Sequence, residues 1–271
     1  MLIHNSDPVA INFFIFEVRW YSLAYIFGIL LGWYYARNII KKTITINYFF
    51  KKFKPSDFDD LIPYLIIGTI FGGRLGYILI YNLNYYLNNL IEIFYIWEGG
   101  MSFHGGMIGI IVSNYIFTKK KNINFFYFSD VISLTAPIGL FFGRFANFIN
   151  AELYGTKTNM PWGVIFSNID TITRHPSQIY EALLEGLLLF LILNFLAIKK
   201  KLILVNGLIS SLFLIFYSIF RFFAEYFREP DQQIGYLFLN LSIGQILSLI
   251  MFFIGIILIF KKKNDLYIKN I

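Results

Sequence analysis

Residues 177–198 of this chain read SQIYEALLEGLLLFLILNFLAI, and Lys199, Lys200 and Lys201 follow at once. An α-helix needs about 20 mostly apolar residues to cross the roughly 30 Å hydrocarbon core of a bilayer, and this stretch supplies that length. Positive charge retained directly after an apolar run is typical of the cytoplasmic end of a span. The stretch therefore predicts a transmembrane helix that ends in the cytoplasm.

The composition of the whole chain agrees with a membrane protein. Of 271 residues, 57% are hydrophobic and 14% are charged, and the mean hydropathy is +0.62. These values lie outside the range of soluble globular domains. Further apolar runs predict further spans, of which the one at 104–118 is short; they are 20–38, 61–81, 104–118, 129–149, 204–226 and 237–260.

Lysine and arginine occur in alternate gaps between these runs, and this distribution predicts the topology. Basic residues follow the first run, and Lys triplets stand at 119–121, 199–201 and 261–263, whereas 82–103 has neither Lys nor Arg. Short cytoplasmic loops retain positive charge, so we place every basic cluster in the cytoplasm. This placement requires an odd number of spans, and the short run at 104–118 must therefore cross as well. The basic residues after the first run are Arg37, Lys41, Lys42, Lys51, Lys52 and Lys54.

We therefore predict an all-α integral membrane protein with one membrane domain over 1–271 and seven transmembrane helices. Its N-terminus is expected outside and its C-terminus in the cytoplasm. Residues 151–176 form the largest soluble excursion, which is too short for a core of its own. We expect this excursion to be an outer arm or head.

Several function classes are excluded or disfavoured. The net charge of +7 does not indicate nucleic acid, because the basic residues are grouped at helix ends rather than in one patch. The absence of cysteine excludes disulfides and a cysteine nucleophile of the protein's own. No His-x-x-x-His pattern or carboxylate cluster indicates a metal site, and no cofactor is expected.

Glycines spaced four apart recur inside the predicted spans. Small residues at this spacing let helix backbones approach closely where no hydrophobic effect drives association. Most of them therefore predict tight helix packing. They are Gly28 with Gly32, Gly68 with Gly72 and Gly76, Gly105 with Gly109, and Gly139 with Gly143.

The arginines are distributed differently from the lysines. Fifteen Lys lie in predicted cytoplasmic segments, whereas six of the seven Arg lie outside or within the membrane. An Arg guanidinium matches a phosphate or carboxylate with two hydrogen bonds. Arg74, Arg144 and Arg221 fall in the outer halves of three predicted spans, where a charge costs at least about 2.5–3.5 kcal/mol unless it finds partners or water. We expect these three side chains to converge on an anion site at the outer leaflet.

Two polar motifs surround these arginines. Arg144 and Asn147 are three residues apart and share a helix face, and the chain continues through Asn150 and Glu152 to Gly155 without a Lys. A second motif runs at spacings of four, four and three along the sixth span. An i,i+4 Arg–Glu pair in it favours an oriented guanidinium, although a purely structural ion pair has the same pattern. The second motif consists of Tyr217, Arg221, Glu225 and Arg228.

His104 lies among glycines just outside the short third span, in the sequence EGGMSFHGG at 98–106. Glycine-rich backbone that leads into a helix start exposes N–H groups to an anion. The imidazole could serve as a general base near neutral pH, although a single His is often structural. His4 and His175 have no comparable surroundings.

Taken together, these motifs resemble bacterial prolipoprotein diacylglyceryl transferases. The resemblance covers nearly the whole chain, and its specificity comes from the order and spacing of the motifs. The segments that carry it are 18–21 (VRWY), 72–77 (GGRLGY), 97–106, 143–155, 174–181 (RHPSQIYE), Arg221 with Glu225, and 227–231 (FREPD).

The resemblance implies transfer of diacylglycerol from phosphatidylglycerol to the lipobox cysteine thiol of a preprolipoprotein, with release of glycerol phosphate. It also implies action at the outer face of the bacterial cytoplasmic membrane, with the lipid, the lipobox segment and the bilayer as partners. The implied catalytic residues are His104, Arg144, Arg221 and Glu225. The implied substrate-binding residues are Arg144, Tyr21, Asn147, Glu152, Gly155 and Tyr217, to which we add Arg74.

The sequence departs from the family pattern at two positions, where Ala146 and Ala151 stand in place of the usual Gly. We expect helix-compatible backbone and tighter packing at both. A positive φ at either would contradict that expectation.

Two other function classes fit part of the pattern. A transporter or flippase of an anionic lipid or solute would also use intramembrane Arg and glycine-broken helices, but the sequence shows no internal repeat. A non-catalytic membrane scaffold would leave the convergence of arginines unexplained.

Overall fold

The computed structural model describes residues 2–13, 16–46, 53–230, 235–237 and 240–268. Lys51, Lys52 and Asp231 of the sequence motifs lie outside the described residues. The chain divides into two compact units, residues 37–131 and residues 1–36 with 132–271.

The described residues form helices over most of their length. In chain order they are α1 (Trp20–Ile46), α2 (Pro55–Tyr81), α3 (Leu83–Asn88), α4 (Phe103–Lys121), α5 (Phe125–Ile149), α6 (Ser177–Lys199), α7 (Leu208–Phe227) and α8 (Ile243–Ile268). Short 3₁₀ turns lie at Leu90–Phe94, Ile96–Glu98 and Leu202–Leu204. The apolar runs in the sequence account for the long helices, because a helix satisfies its own backbone groups where water is absent.

Within the described residues, six helices are long and apolar enough to cross a membrane: α1, α2, α5, α6, α7 and α8. This agrees with six of the predicted spans. The short run 104–118 is helical as well, inside α4, but α4 is not among the six. Its crossing of the membrane stays a prediction.

Short strands, which the sequence analysis did not predict, accompany the helices. Strands β1 (Leu2–His4), β4 (Val164–Phe166) and β5 (Thr173–Arg174) form one sheet, in which β4 lies between parallel β1 and antiparallel β5. Strands β2 (Val9–Phe13) and β3 (Phe16–Arg19) form an antiparallel pair directly before α1. Each strand has two to five residues, too few to stand out in a hydropathy pattern that reveals spans.

The head, residues 151–176, obtains its core from three parts of the chain. Ala151, Val164 and Phe166 are buried together, and Phe148 and Tyr154 pack against them. Phe148 belongs to the end of α5, and β1 adds the third strand of the sheet. This agrees with the prediction that the excursion is too short to form a core by itself.

The predicted glycine packing is confirmed between α2 and α4. A Cβ atom on Gly68 would lie 2.5 Å from the carbonyl oxygen of Gly109, and one on Gly105 would lie 2.2 Å from that of Gly72. Side chains at these positions would therefore force the two helices apart. A Cβ on Gly143 would meet nothing within 4 Å, so the packing explanation does not extend to that glycine.

Candidate active site

Two buried carboxylates on α6, Glu181 and Glu185, are the centre of the candidate site. Both side chains are 0% exposed, and their spacing of four places them on one helix face. A π-helical stretch, Ala182–Leu188, contains Glu185, and such widened turns are frequent at functional sites.

The start of α6 is tied to the loop that follows α5. The Ser177 hydroxyl donates to the Leu153 carbonyl at 3.1 Å, and the Gln178 amide donates to the Glu152 carbonyl at 2.6 Å. Ser177 and Gln178 are themselves fully buried. These bonds fix the register of α6, and with it the position of the carboxylates one and two turns further on.

Arg144 of α5 and Arg221 of α7 meet at these carboxylates. Arg144 Nη1 lies 2.7 Å from Glu181 Oε2, and its Nη2 lies 3.3 Å from Glu185 Oε2. Arg221 Nη1 lies 3.0 Å from the same Glu181 oxygen and 3.4 Å from Glu185 Oε1. The predicted convergence of Arg144 and Arg221 is therefore confirmed, and the groups that hold them together are carboxylates on a third helix.

Glu225 and Arg228 extend the group from the end of α7. Arg221 Nη2 lies 2.6 Å from Glu225 Oε2, which is the i,i+4 pair predicted from the sequence. Arg228 Nη1 donates to Glu181 Oε1 at 3.5 Å, and the Ser242 hydroxyl donates to Glu225 Oε1 at 3.0 Å. We call this group the Arg–Glu cluster; its members are Arg144, Glu181, Glu185, Arg221, Glu225 and Arg228.

The cluster contains three guanidinium groups and three carboxylates, so its formal charges balance. Burial differs between the two kinds of group: the side chains of Glu181 and Glu185 are 0% exposed, whereas those of Arg144 and Arg221 are 11% exposed. Charges in such surroundings persist only when they are paired and hydrogen-bonded. The two central carboxylates are therefore fully enclosed, whereas about a tenth of each arginine side chain, 11% for Arg144 and Arg221, remains accessible.

Two tyrosines stand close to these charges. Tyr217 is 2% exposed and interacts electrostatically with Glu185, Arg221 and Arg144. Tyr21, in the first turn of α1, interacts with Glu152 and Arg144. Both tyrosines predicted as substrate-binding residues therefore border the arginines.

Glu152 lies three residues after Ile149, the last residue of α5. The Glu152 N–H donates to the Asn147 carbonyl at 2.9 Å and the Ala151 N–H donates to the Phe148 carbonyl at 3.1 Å, which is the bond pattern of a Schellman motif. The Asn147 and Asn150 amides donate to the two oxygens of the Glu152 carboxylate at 3.2 and 3.3 Å. Asn147 and Glu152, two of the predicted substrate-binding residues, are thus joined by a direct hydrogen bond.

The expectation for Ala151 is wrong. Ala151 has φ +55°, because it occupies the left-handed position after the helix, where Gly is favoured since it lacks Cβ. Ala146, by contrast, lies within α5 and is 1% exposed. Leu153 also has a positive φ, +54°, so the backbone on both sides of Glu152 is in a conformation that costs about 1–2 kcal/mol per non-glycine residue.

Gly155 lies where two other segments approach. Its N–H donates to the His175 carbonyl at 3.1 Å, and its carbonyl accepts from Arg174 at 3.2 Å. A Cβ at Gly155 would lie 2.3 Å from the His175 oxygen and 2.5 Å from the Phe227 oxygen. The structure therefore gives Gly155 a packing role, and its contact with substrate stays a prediction.

Arg174 and Asp170 stabilise the head next to this point. Arg174 Nη2 donates to Asp170 Oδ2 at 2.6 Å, and this bond holds the pKa of the Asp170 carboxyl below its usual range. Arg174 also lies 4.7 Å from the centre of the Tyr154 ring. Arg174 is thus an internal anchor of the head.

His104 and Arg74 lie in the other compact unit, residues 37–131. His104 is half-buried in the first turn of α4, where the Ser102 hydroxyl accepts from the Gly105 N–H at 3.3 Å. Arg74 is 4% exposed, and its guanidinium donates to backbone carbonyls at 92–100. Arg74 therefore holds the backbone of residues 92–100 in place. Substrate binding by Arg74 and catalysis by His104 stay predictions.

Glu181 and Glu185 are absent from the site residues predicted from the sequence. A signal for them was present, since they are carboxylates at i,i+4 inside an apolar run, and an ionisable residue within a span is a functional candidate by default.

Comparisons with known proteins agree with the resemblance. The family model described as prolipoprotein diacylglyceryl transferase matches residues 8–261. A protein of Rickettsia bellii (strain OSU 85-389) is 51% identical over 261 residues, covering 96% of this chain and 97% of its own length. A Rickettsia typhi protein is 50% identical (96% and 98% covered), and an Ehrlichia ruminantium (strain Welgevonden) protein is 48% identical (93% and 95% covered).

All three relatives are named phosphatidylglycerol–prolipoprotein diacylglyceryl transferase. The match extends through the segments that carry Arg144, Glu181 and Arg221. With six apolar helices long enough to cross a bilayer and matches over nearly its full length, the chain belongs to the prolipoprotein diacylglyceryl transferase family.

Proposed function

We propose that the Arg–Glu cluster is the site at which this chain transfers the diacylglyceryl group of phosphatidylglycerol to the cysteine thiol of a prolipoprotein, with release of glycerol phosphate. The observation that carries this proposal is that Arg144 and Arg221, on two helices, share the carboxylates of Glu181 and Glu185. A fixed pair of guanidiniums suits a donor lipid whose headgroup is an anionic phosphodiester.

The headgroup phosphate binds the outward-facing part of the arginine pair. A guanidinium has five N–H donors, so the carboxylate contacts of Arg144 at Nη1 and Nη2 leave donors for a phosphate oxygen. The carboxylates balance the charge of the arginines, and they serve as positioning groups that hold the guanidinium groups of Arg144 and Arg221 next to each other. Asn147, Glu152 and Tyr21 hold the glycerol of the headgroup.

The transfer forms a sulfur–carbon bond and breaks a carbon–oxygen bond. The acceptor thiol, with a reference pKa near 8.5, loses its proton, and the thiolate attacks the glycerol carbon that carries the phosphate ester. The electron pair of the broken bond leaves with the phosphate oxygen of glycerol phosphate. Arg144 and Arg221 stabilise the charge that accumulates there, as preorganised donors do in other enzymes.

His104 is our candidate for the base that accepts the thiol proton. Its imidazole stands near glycines at the start of α4, and His is the side chain that most often serves as a general base. In a His104→Gln variant, we expect thiol transfer to fall by about 10²–10⁴-fold, the usual contribution of general base catalysis. Full transfer by this variant would assign the proton to another acceptor.

The predicted topology supports a site at the outer face of the cytoplasmic membrane. Lys triplets follow the third, fifth and seventh predicted spans, and cytoplasmic loops carry such charge. With α4 crossing as the third of seven spans, the N-terminus, the head and the outer ends of α5 and α7 lie on the side where secreted prolipoproteins emerge.

The relatives' activity favours a transferase over a transporter of an anionic lipid. A transporter would move its substrate without an acceptor thiol, and a scaffold would form no product. Purified protein in vesicles that contain phosphatidylglycerol, given a peptide with a lipobox cysteine, should release glycerol phosphate only when the thiol is present.

The role of the arginine pair is tested by Arg144→Lys in the same assay. Lys keeps the charge but loses the planar fork, so we expect activity to fall by about 10²-fold or more, as when one transition-state donor is removed. The matched control is Arg37→Lys, which alters another arginine that pairs with a carboxylate, Asp59 at 2.6 Å. Near-normal activity of Arg144→Lys would refute the proposal that the arginine pair binds the headgroup phosphate.

A further inference from the structure

The connection between α2 and α4 exposes a series of large apolar side chains. It consists of α3 and two 3₁₀ turns, and we call residues 82–98 the arm. Exposed apolar surface of this kind marks a contact with a partner or a membrane. The side chains with the largest exposed fractions, 61–74%, are those of Leu87, Leu90, Ile91, Phe94 and Trp97.

Arg74 fixes where the arm lies relative to α2. Its Nε donates to the Ile93 carbonyl at 3.0 Å, and its Nη atoms donate to the carbonyls of Glu92 at 2.5 Å and Gly99 at 2.6 Å. Arg74 precedes Tyr81, the last residue of α2, by seven positions, which is about 10 Å along a helix that rises 1.5 Å per residue. The arm therefore folds back along the last two turns of α2 rather than extending away from its end.

The position where α4 begins agrees with this placement of the arm along α2. The Ser102 N–H donates to the carbonyl of Gly73 at 2.9 Å, and Ser102 is the N-cap of α4. Helix α4 thus begins about two turns before the end of α2, and the arm occupies the level that α4 does not reach. The short apolar run at 104–118 has its physical explanation here.

Three side-chain donors of the arm form hydrogen bonds within it, which suits a site of low water content. The Asn88 and Asn89 amides donate to the carbonyls of Asn84 and Tyr85 at 2.9 and 3.0 Å, and the Tyr85 hydroxyl donates to the Glu92 carboxylate at 2.6 Å. The segment 82–103 contains neither Lys nor Arg. Its tyrosines and Trp97 are residue types enriched at membrane–water boundaries.

We propose that the arm is inserted into the bilayer at the Tyr81 end of α2, with its apolar side chains in contact with lipid acyl chains. The occupant is lipid because the exposed surface continues that of the membrane-spanning α2, whose Phe71, Leu75 and Leu79 are 52–63% exposed. Arg74 holds the arm at this depth. The inference does not depend on the transfer reaction.

The absence of cysteine permits a direct test with single-cysteine variants. Ile91→Cys and Phe94→Cys would be reconstituted into lipid nanodiscs and treated with a membrane-impermeant maleimide; Met160→Cys is the matched control, because Met160 is an exposed apolar residue of the head. We expect the arm variants to react about tenfold or more slowly than the control, since the thiolate is the reactive form and apolar surroundings suppress it. Denaturation in SDS should equalise the three rates.

Labelling of the arm variants in nanodiscs at the rate of Met160→Cys would overturn the proposal. Slow labelling that persists in detergent and becomes fast on dilution would also overturn it, because a second copy of the chain would then cover the arm. Wild-type transfer activity of the arm variants should accompany the expected result and shows that they are folded. If the cysteine variants fail to fold, a variant in which Trp20, Trp33 and Trp162 are replaced by Phe leaves Trp97 as the one tryptophan of the sequence. Quenching of Trp97 fluorescence by brominated lipid would support insertion, and quenching by aqueous iodide would refute it.

Discussion

Replacement of Glu181 by Gln tests whether the buried carboxylates position the arginines. Glu181 contacts three guanidiniums, at 2.7, 3.0 and 3.5 Å, and is 0% exposed. Gln keeps the shape but removes the charge, and loss of one partner of a buried pair typically costs about 3–5 kcal/mol. In a chain of this size, about 3 kcal/mol lowers the melting temperature by roughly 6–12 °C.

The kinetic effect separates positioning from stability alone. Without the carboxylate the cluster has one excess positive charge, so KM for phosphatidylglycerol should not rise. The arginines lose their common anchor, and kcat should fall by about 10²-fold, as when a preorganised donor is misplaced. A variant that is only less stable would keep kcat at temperatures where it is folded.

The measurements are thermal unfolding followed by tryptophan fluorescence and steady-state kinetics of glycerol phosphate release. Glu229→Gln is the control: Glu229 pairs with Arg174, but its side chain is 42% exposed, and such pairs contribute about 0–1 kcal/mol. If Glu181→Gln melts within about 1 °C of wild type, a shift below 1 kcal/mol, or keeps kcat within about threefold, well short of the loss expected for a donor, the positioning role is refuted.

Two further predictions concern the head and the end of α5. Ala151→Gly should stabilise the protein by up to about 1 kcal/mol, because relief of a left-handed alanine (about 1–2 kcal/mol) exceeds the extra chain entropy of glycine; Ala146→Gly inside α5 should destabilise it by about 1 kcal/mol, and equal melting shifts of the same sign would contradict this. His4 packs against Phe148 and Phe166, and desolvation by burial lowers the pKa of its imidazole, so the unfolded chain binds the proton more readily and stability falls as pH drops through about 6.5. The melting temperature should decrease from pH 8 to pH 5.5, and His4→Phe should reduce that decrease; an unchanged slope would assign it to His175, whose pKa is lowered by burial as well.

The formal charges of the Arg–Glu cluster balance, so the proposed phosphate site is more than a pair of isolated arginines. Two bare guanidiniums in a bilayer would carry a large desolvation cost. The carboxylates of Glu181 and Glu185 offset that cost and set the geometry, so that in the proposed reaction the headgroup would meet arginines already in place. Preorganisation of this kind is what makes donors effective in a transition state.

The sequence by itself determined the membrane class, the positions of the six apolar spans and the pairing of Arg221 with Glu225. Hydrophobic length and i,i+4 spacing are local properties, and they can be read without knowledge of which helices are neighbours. Tight packing at the spaced glycines was predicted for the same reason, but which helices they bring together was not.

Only the tertiary structure decided which partners the arginines have. Glu181 and Glu185 are local neighbours on α6, but their contacts with Arg144 and Arg221 join three helices across separations of 41 and 36 residues. The positive φ of Ala151 likewise follows from how α5 ends against the head. The sequence shows only that residues 82–103 carry neither Lys nor Arg. The position of residues 82–98 along α2 depends on the long-range hydrogen bonds of Arg74, which no periodicity in the sequence records.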